Sequence, residues 1–202
     1  QDFAVAIASH AMTGAGDTLI PLMCPGTLVH SQRVSLVDQA LAAQATHVLF
    51  LDSDMRFPAD IIARMLKHDV EIVAANCAKR RIPTGPTAAR FENGNQVEVY
   101  TQETSTGLEV IDHIGTAVML IKTSVFCEVP KPWFATPWIS NLDRFMGEDA
   151  YFCMAATRAG KSIVLDHDLS KEIRHTGTFE FGMEHTWIDA PKEETPRVML
   201  AN

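Results

Sequence analysis

The sequence predicts an α/β fold with a mostly parallel central sheet, helices on its faces and a small antiparallel β element. Three observations predict it. Short apolar runs alternate with helical patterns from residue 3 to residue 75. The middle of the chain instead carries Asn93-Gly94, a strong hairpin signal. With 202 residues, 47% hydrophobic and 21% charged, the chain has enough apolar material for one core without disulfide or metal staples.

The elements follow in order. Phe3–Ser9 (FAVAIAS) reads as a buried strand. His10–Gly26 holds Gly14, Gly16, Gly26, Pro21 and Pro25 and reads as loop. Thr27–Ala45 is a helix candidate, with Leu28, Val34, Val37, Leu41 and Ala45 on one face. His47–Leu51 (HVLFL) is a second buried strand, ending in Asp52-Ser53-Asp54. Pro58 suits a first helical turn, so Ala59–His68 is a helix, followed by a third buried strand at Val70–Ala75. Asn93-Gly94 joins Ala89-Arg90-Phe91 to Val97–Tyr100, and Leu108–Ile114 and Ala117–Ile121 are further strands. Pro130, Pro132 and Pro137 mark a loop rich in tryptophan. Asp149–Ala159 is a helix stopped by Gly160, and Ser162–Leu165 is the last strand. From His175 onward the pattern is loop or tail. No repeat and no interdomain linker is visible, so residues 1–178 read as a single domain and 179–202 as a tail or lid.

Charge and cysteine usage narrow the function classes. Lys+Arg is 17 and Asp+Glu is 25, a net charge of −8, which disfavours generic binding to nucleic acid or anionic membrane. No apolar run approaches the ~18 residues of a membrane helix, and the start of the chain lacks a basic signal-peptide region. Cys24, Cys77, Cys127 and Cys153 form no C-x-x-C motif and read as separate reduced thiols of a cytoplasmic protein.

Three features carry chemistry. Asp52-x-Asp54 lies at the carboxyl end of an apolar strand, where open α/β sheets bind ligands. Two carboxylates so spaced reach one hard divalent ion, or a ribose and an ion. The plainer reading makes Asp54 the N-cap of the next helix. Gly147-Glu148-Asp149 opens a helix, where carboxylates suit the dipole and where one can act as a general base. His175, in Arg174-His175-Thr176-Gly177, is either an ordinary histidine or an imidazole ligand that shifts preference from Mg²⁺ toward Mn²⁺. Asp166-His167-Asp168 resembles a metal cluster, but adjacent residues on an extended chain point opposite ways, so this trio reads as turn chemistry.

The order of these motifs resembles a GT-A glycosyltransferase, most closely the family-2-like enzymes of small bacterial and phage type. The phrases that carry it are THVLFLDSDMRFP (46–58), IGTAVMLIKTSVF (114–126), PWF (132–134) and GEDAYFCMAATRAGKSIVLDHDLSKEIRHTG (147–177). The resemblance implies a Rossmann-like GT-A fold and transfer of a sugar from a nucleotide-diphosphate sugar to an acceptor hydroxyl. It makes Asp149 the catalytic base of an inverting reaction, with Glu148 beside it. It assigns the metal, Mn²⁺ or Mg²⁺, to Asp54 and His175. It places Asp52, Ser53, Ala8, Ser9 and His10 around the nucleotide, and Gly115 and Thr116 at the sugar. Arg33 and the run Lys79-Arg80-Arg81 fall near the diphosphate or acceptor. Trp133, Phe134 and Trp138 are candidates for an acceptor platform. The implied acceptors are glycans, proteins or, in some phages, modified DNA bases, and a homo-oligomer is compatible with the reading. His10–Gly26 is shorter than the matching unit of family-2 enzymes, leaving Asp17 as the one candidate to read the base.

The tail Thr176–Trp187 (TGTFEFGMEHTW) suits either a lid over the donor or a terminus packing Phe179, Phe181 and Trp187 on the core. Two other functions compete. A sugar-phosphate nucleotidyltransferase needs a Gly-rich phosphate loop after the first strand, and SHAMTGAG (9–16) is not that pattern. A non-catalytic nucleotide-sugar-binding module would not need Asp52, Asp54, Asp149 and His175 all intact.

Overall fold

A computed structural model describes residues 4–9, 18–81, 83–177 and 181–183, with backbone alone for residues 4–9 and 181. In chain order the elements are β1 (Ala4–Ser9), β2 (Leu19–Cys24), α1 (Val29–Ala42), β3 (His47–Asp52), β4 (Met55–Arg56), α2 (Ile61–Lys67) and β5 (Ile72–Ala74). There follow β6 (Ala89–Glu92), β7 (Asn95–Glu98), β8 (Leu108–Ile111), β9 (Val118–Lys122) and α3 (Thr123–Glu128). A short ribbon, β10 (Trp138–Ile139) and β11 (Arg144–Phe145), precedes α4 (Glu148–Arg158). The last elements are β12 (Ile163–Asp166), the one-turn α5 (His167–Ser170), β13 (Arg174–His175) and β14 (Phe181–Gly182).

The expected mostly parallel, Rossmann-like sheet of the GT-A type is not what forms. The seven-stranded sheet has the order β2-β1-β3-β9-β5-β12-β8, and only the β5–β12 pair is parallel. The strand–helix–strand units do give co-directional strands, since β3 and β5 are both antiparallel to β9. Yet β9 lies between them, so they are not neighbours. The misreading has a physical cause. In β3, Val48 and Phe50 enter one core while Leu49 and Leu51 enter the other. The same division sends Met119 and Ile121 of β9 one way and Val118 and Leu120 the other. A strand covered on both faces reads as a continuous apolar run whatever the direction of its neighbour.

Local departures have similar explanations. Leu19–Cys24 is a strand, not loop, and alternates exposed and half-buried residues. Its Pro21 is tolerated because β2 is at the sheet edge, where a missing N–H breaks no ladder with a further strand. Of the face of α1 expected to turn inward, Val37 and Ala45 are buried and Val34 and Leu41 pack against the core. Gln32, Arg33, Leu36, Val37 and Ala40 are buried, whereas Leu28 is exposed. Gln32 donates to the carbonyls of Cys24 and Gly26 at 3.1 Å each, and Arg33 enters the site described below. Burying Leu36 and Val37 contributes about 1.5–3 kcal/mol each, which offsets the cost of an inward arginine. The helix stops where Gln44 takes a positive φ of 54°.

The Asn93-Gly94 hairpin forms as expected, with φ of 52° and 82° at the two turn residues joining β6 and β7. All four cysteines are free thiols. Among the described residues no helix is long and apolar enough to cross a membrane.

Candidate active site

Strands β3, β5 and β12 run in one direction, so their carboxyl ends share an edge of the sheet. Strand β9 begins at that edge. The amide of Asp52 donates to the carbonyl of Ala117 at 2.9 Å, and that of Ala75 to Val118 at 3.0 Å. Gly115 and Thr116 therefore arrive beside Asp52-Ser53-Asp54. A Cβ on Gly115 would stand 3.3 Å from Cβ of Thr87, so the turn has little room for a side chain. The Thr116 hydroxyl is buried without a hydrogen-bond partner.

Two carboxylate centres form here, each with its own arginine. The first is built on Arg33, only 4% exposed. Its Nη2 lies 3.2 Å from Oδ1 of Asp52, and its Nη1 donates to Oε1 of Glu148. One guanidinium thus joins the end of β3 to the start of α4, and its plane lies near the Phe50 ring, 6.0 Å from the centroid.

The second centre is built on Asp54. It is not a helix cap, since α2 begins only at Ile61. Instead β4 pairs with β13, setting Met55 opposite His175. The Thr176 amide and hydroxyl both donate to the Asp54 carbonyl at 2.7 Å. His175 Nε2 then stands 3.3 Å from Oδ2 of Asp54, across 121 residues of sequence. His175 Nδ1 faces the Ala78 carbonyl at 3.0 Å. A carbonyl only accepts, so the ring donates at Nδ1 and is held in this orientation beside Asp54. Nη1 of Arg80 lies 2.9 Å from the same Oδ2. Strand β14 pairs with β13 on its other side, Phe181 opposite His175.

Asp149 lies in the first turn of α4, with Gly147 as N-cap. Its Oδ1 accepts from the Ala150 amide at 2.6 Å, and a Cβ on Gly147 would fall 2.6 Å from that oxygen. Glycine at 147 thus lets the carboxylate fold back over the helix start. Nearby, Nδ1 of His113 is buried and unpartnered. Burial pushes this imidazole below its ordinary value of 6.5, while Asp149 pulls it up and Lys79 presses it down.

Other sequence-predicted residues lie elsewhere or face other tasks. The antiparallel pairing puts Ala8 opposite Val48 and Ser9 opposite His47, at the far end of β3 from Asp52. His10, Asp17, Phe179 and Trp187 lie outside the described residues, as does the tail beyond 177 apart from 181–183. Trp133 and Phe134 are core residues. Trp133 Nε1 is 3.0 Å from the carbonyls of both Phe126 and Val129, and Phe134 stacks on Phe152 at 4.9 Å. Trp138 differs, being 51% exposed and edge-on to Phe145 at 5.0 Å, on the ribbon that leads into Gly147. Ser53 and Arg81 are exposed. The trio 166–168 does diverge. Asp166 accepts from the Leu169 amide at 2.9 Å and faces His68, His167 lies between Thr101 and Glu109, and Asp168 accepts from the Gly107 amide.

Sequence reasoning passed over His113 and Asn76. Asn76 is fully buried at the end of β5. Its Nδ2 donates to the Val99 carbonyl at 2.8 Å, and its Oδ1 accepts from the amides of Thr87 and Ala88 at 3.0 and 3.1 Å. It therefore anchors both ends of the loop that carries Lys79, Arg80 and Arg81. An asparagine directly after a buried strand was its one visible signal.

The profile of the Anp1 family, a family related to mannosyl- and glycosyltransferases, matches residues 27–109. That stretch includes Arg33, Asp52 and Asp54 and stops short of Glu148, Asp149 and His175. Among solved structures the chain is similar to protein A197 from STIV, a virus. The two share 15% identity over 79% of this chain and 74% of that one, with a TM-score of 0.56, a likeness of fold. No curated protein matches the chain by sequence.

Proposed function

We propose that this chain is a glycosyltransferase that moves a sugar from a nucleotide-diphosphate sugar to an acceptor hydroxyl, with Asp149 as the base. The observation that carries the reading is the meeting of Asp52, Asp54, Glu148 and His175, from distant parts of the sequence, at one edge of the sheet. The partial match to a glycosyltransferase-related family supports it.

The donor set at Asp54 fits a hard divalent ion. It offers one carboxylate oxygen and one imidazole nitrogen whose partner nitrogen is anchored by a carbonyl. Among the described residues no third histidine, cysteine or carboxylate closes the set. That suits Mg²⁺ or Mn²⁺, which keep places for phosphate and water oxygens. Held by Asp54 and His175, such an ion would neutralise charge on the departing diphosphate.

The residues of the chain divide the remaining work. Glu148 is committed to Arg33, whereas Asp149 has no cationic partner among the described residues. Asp149 takes the acceptor hydroxyl proton as the acceptor oxygen bonds to the anomeric carbon. The bond from that carbon to the diphosphate oxygen breaks, and the electron pair leaves with the diphosphate. Attack opposite the leaving group inverts the anomeric centre. Exposed Trp138 offers an aromatic face to the acceptor.

Asp149→Asn tests this reading. General-base removal lowers turnover by about 10²–10⁴-fold while donor binding survives. Transfer at the wild-type rate by Asp149→Asn contradicts the assignment, and a product that retains the donor's anomeric configuration contradicts inversion.

A further inference from the structure

We propose that Arg80 is a built-in rival cation at Asp54, displaced from the carboxylate when a divalent ion and a nucleoside diphosphate bind together. This rests on the reading of Asp54 and His175 as a cation site.

The geometry places three groups around one oxygen. Arg80 Nη1 lies 2.9 Å from Oδ2 of Asp54, and His175 Nε2 lies 3.3 Å from the same atom. The imidazole is held in place by the contact of its Nδ1 with the Ala78 carbonyl at 3.0 Å. Arg80 supplies positive charge from one side and also reaches the Thr176 carbonyl at 3.5 Å. A divalent ion drawing on Oδ2 and Nε2 would come close to the guanidinium, and the two like charges repel.

Arg80 is free to leave, and its loop is not. Its side chain is 48% exposed. The surrounding backbone is fixed by other groups. Asn76 holds residues 87 and 88, the Thr84 hydroxyl donates to the Lys79 carbonyl at 2.6 Å, and the Lys79 amide donates to the Gly85 carbonyl at 2.8 Å. Lys79 is itself tied to Glu98 at 3.3 Å. Rotation of one side chain is enough to open Oδ2. A guanidinium has a planar fork of donors that matches phosphate as well as carboxylate. A diphosphate arriving with the ion therefore offers Arg80 a second partner. Ion and diphosphate then bind cooperatively, each helping the other remove Arg80 from Asp54, and by linkage the coupling is reciprocal.

The experiment is a Mn²⁺ titration followed by electron paramagnetic resonance on wild type, Arg80→Gln and Asp54→Asn. It is run first with Mn²⁺ alone and then with UDP, GDP, CDP, ADP or dTDP. Arg80→Gln is expected to bind Mn²⁺ alone about tenfold more tightly than wild type and to lose most of the nucleotide-linked gain. Asp54→Asn is expected to lose the site in both conditions. Equal or weaker Mn²⁺ binding by Arg80→Gln, with binding still abolished in Asp54→Asn, overturns the rivalry and leaves the cation site standing. Mn²⁺ binding that Asp54→Asn leaves unchanged, or none in any of the three proteins, removes the cation site and this inference with it.

Discussion

Arg33 and Arg80 each hold one of the two aspartates of Asp52-Ser53-Asp54, and burial makes them different devices. Arg33 is 4% exposed and spans two carboxylates, whereas Arg80 is 48% exposed and shares one carboxylate with a histidine. The first is a brace between β3 and α4. Withdrawing its charge would leave Asp52 and Glu148 facing each other without a cation. The second is a surface pair, in which water replaces the lost partner. One spacing in sequence thus yields a fixed carboxylate and an exchangeable one.

The comparison breaks most visibly at Arg33. Arg33→Met is expected to destabilise the fold by about 3 kcal/mol in urea denaturation, the cost of breaking a buried pair from one side. A loss under 0.5 kcal/mol would make Arg33 no brace. In the same assay Arg80→Gln is expected to move stability by less than about 0.5 kcal/mol, as exposed ion pairs do. Equal losses in the two variants would erase the distinction drawn here.

A smaller effect concerns His113, below Asp149. Its folded value is depressed by burial, so the unfolded chain takes up a proton first as pH falls. This residue's contribution to stability is complete above pH 6.5 and declines as pH drops from there toward the folded value. His47, depressed by burial and by Lys122, acts in the same sense. His113→Asn should flatten the wild-type decline between pH 6.5 and 5 without removing it. An unchanged slope would show that His113 is solvated in both states.

The smallest effect is on thiol chemistry. Burial pushes the Cys153 thiol up to about 12 and raises Cys77 further, while Cys127 is exposed and Cys24 half-buried. Alkylation of the native protein, read by peptide mass spectrometry, should label Cys127 first and Cys24 more slowly. Labelling of Cys77 or Cys153 at a similar rate would indicate that the core opens.

The sequence made some of this legible and hid the rest for definite reasons. Strands β3, β5 and β12 were visible as apolar runs, but their pairing was not. Burial on both faces erases the alternation that would have marked β9 as an antiparallel insert. Strand β2 was hidden by Pro21, which is harmless only because the strand is an edge. Carboxylates at a strand end and a helix start announced the site. The resemblance put Arg33 and Arg80 near the diphosphate or acceptor, but not their pairing with these carboxylates, since neither the inward turn of Arg33 nor the approach of Arg80 to Asp54 has a local sequence signal. Trp133 and Phe134 looked like a binding platform because core and exposed aromatics share one composition. Only packing separates them from Trp138 and Phe145.

The most direct test of the central claim is a thermal-shift panel of UDP, GDP, CDP, ADP and dTDP, each with and without Mn²⁺. It is applied to wild type, Asp54→Asn and His175→Ala. A ligand at about 100 times its dissociation constant stabilises by about 2.7 kcal/mol, several degrees for a chain of this size. The account predicts that one nucleotide raises the wild-type midpoint only with Mn²⁺, and that both variants lose that shift while keeping the unliganded midpoint. A metal-linked shift that survives in both variants, or none with any nucleotide, would contradict it.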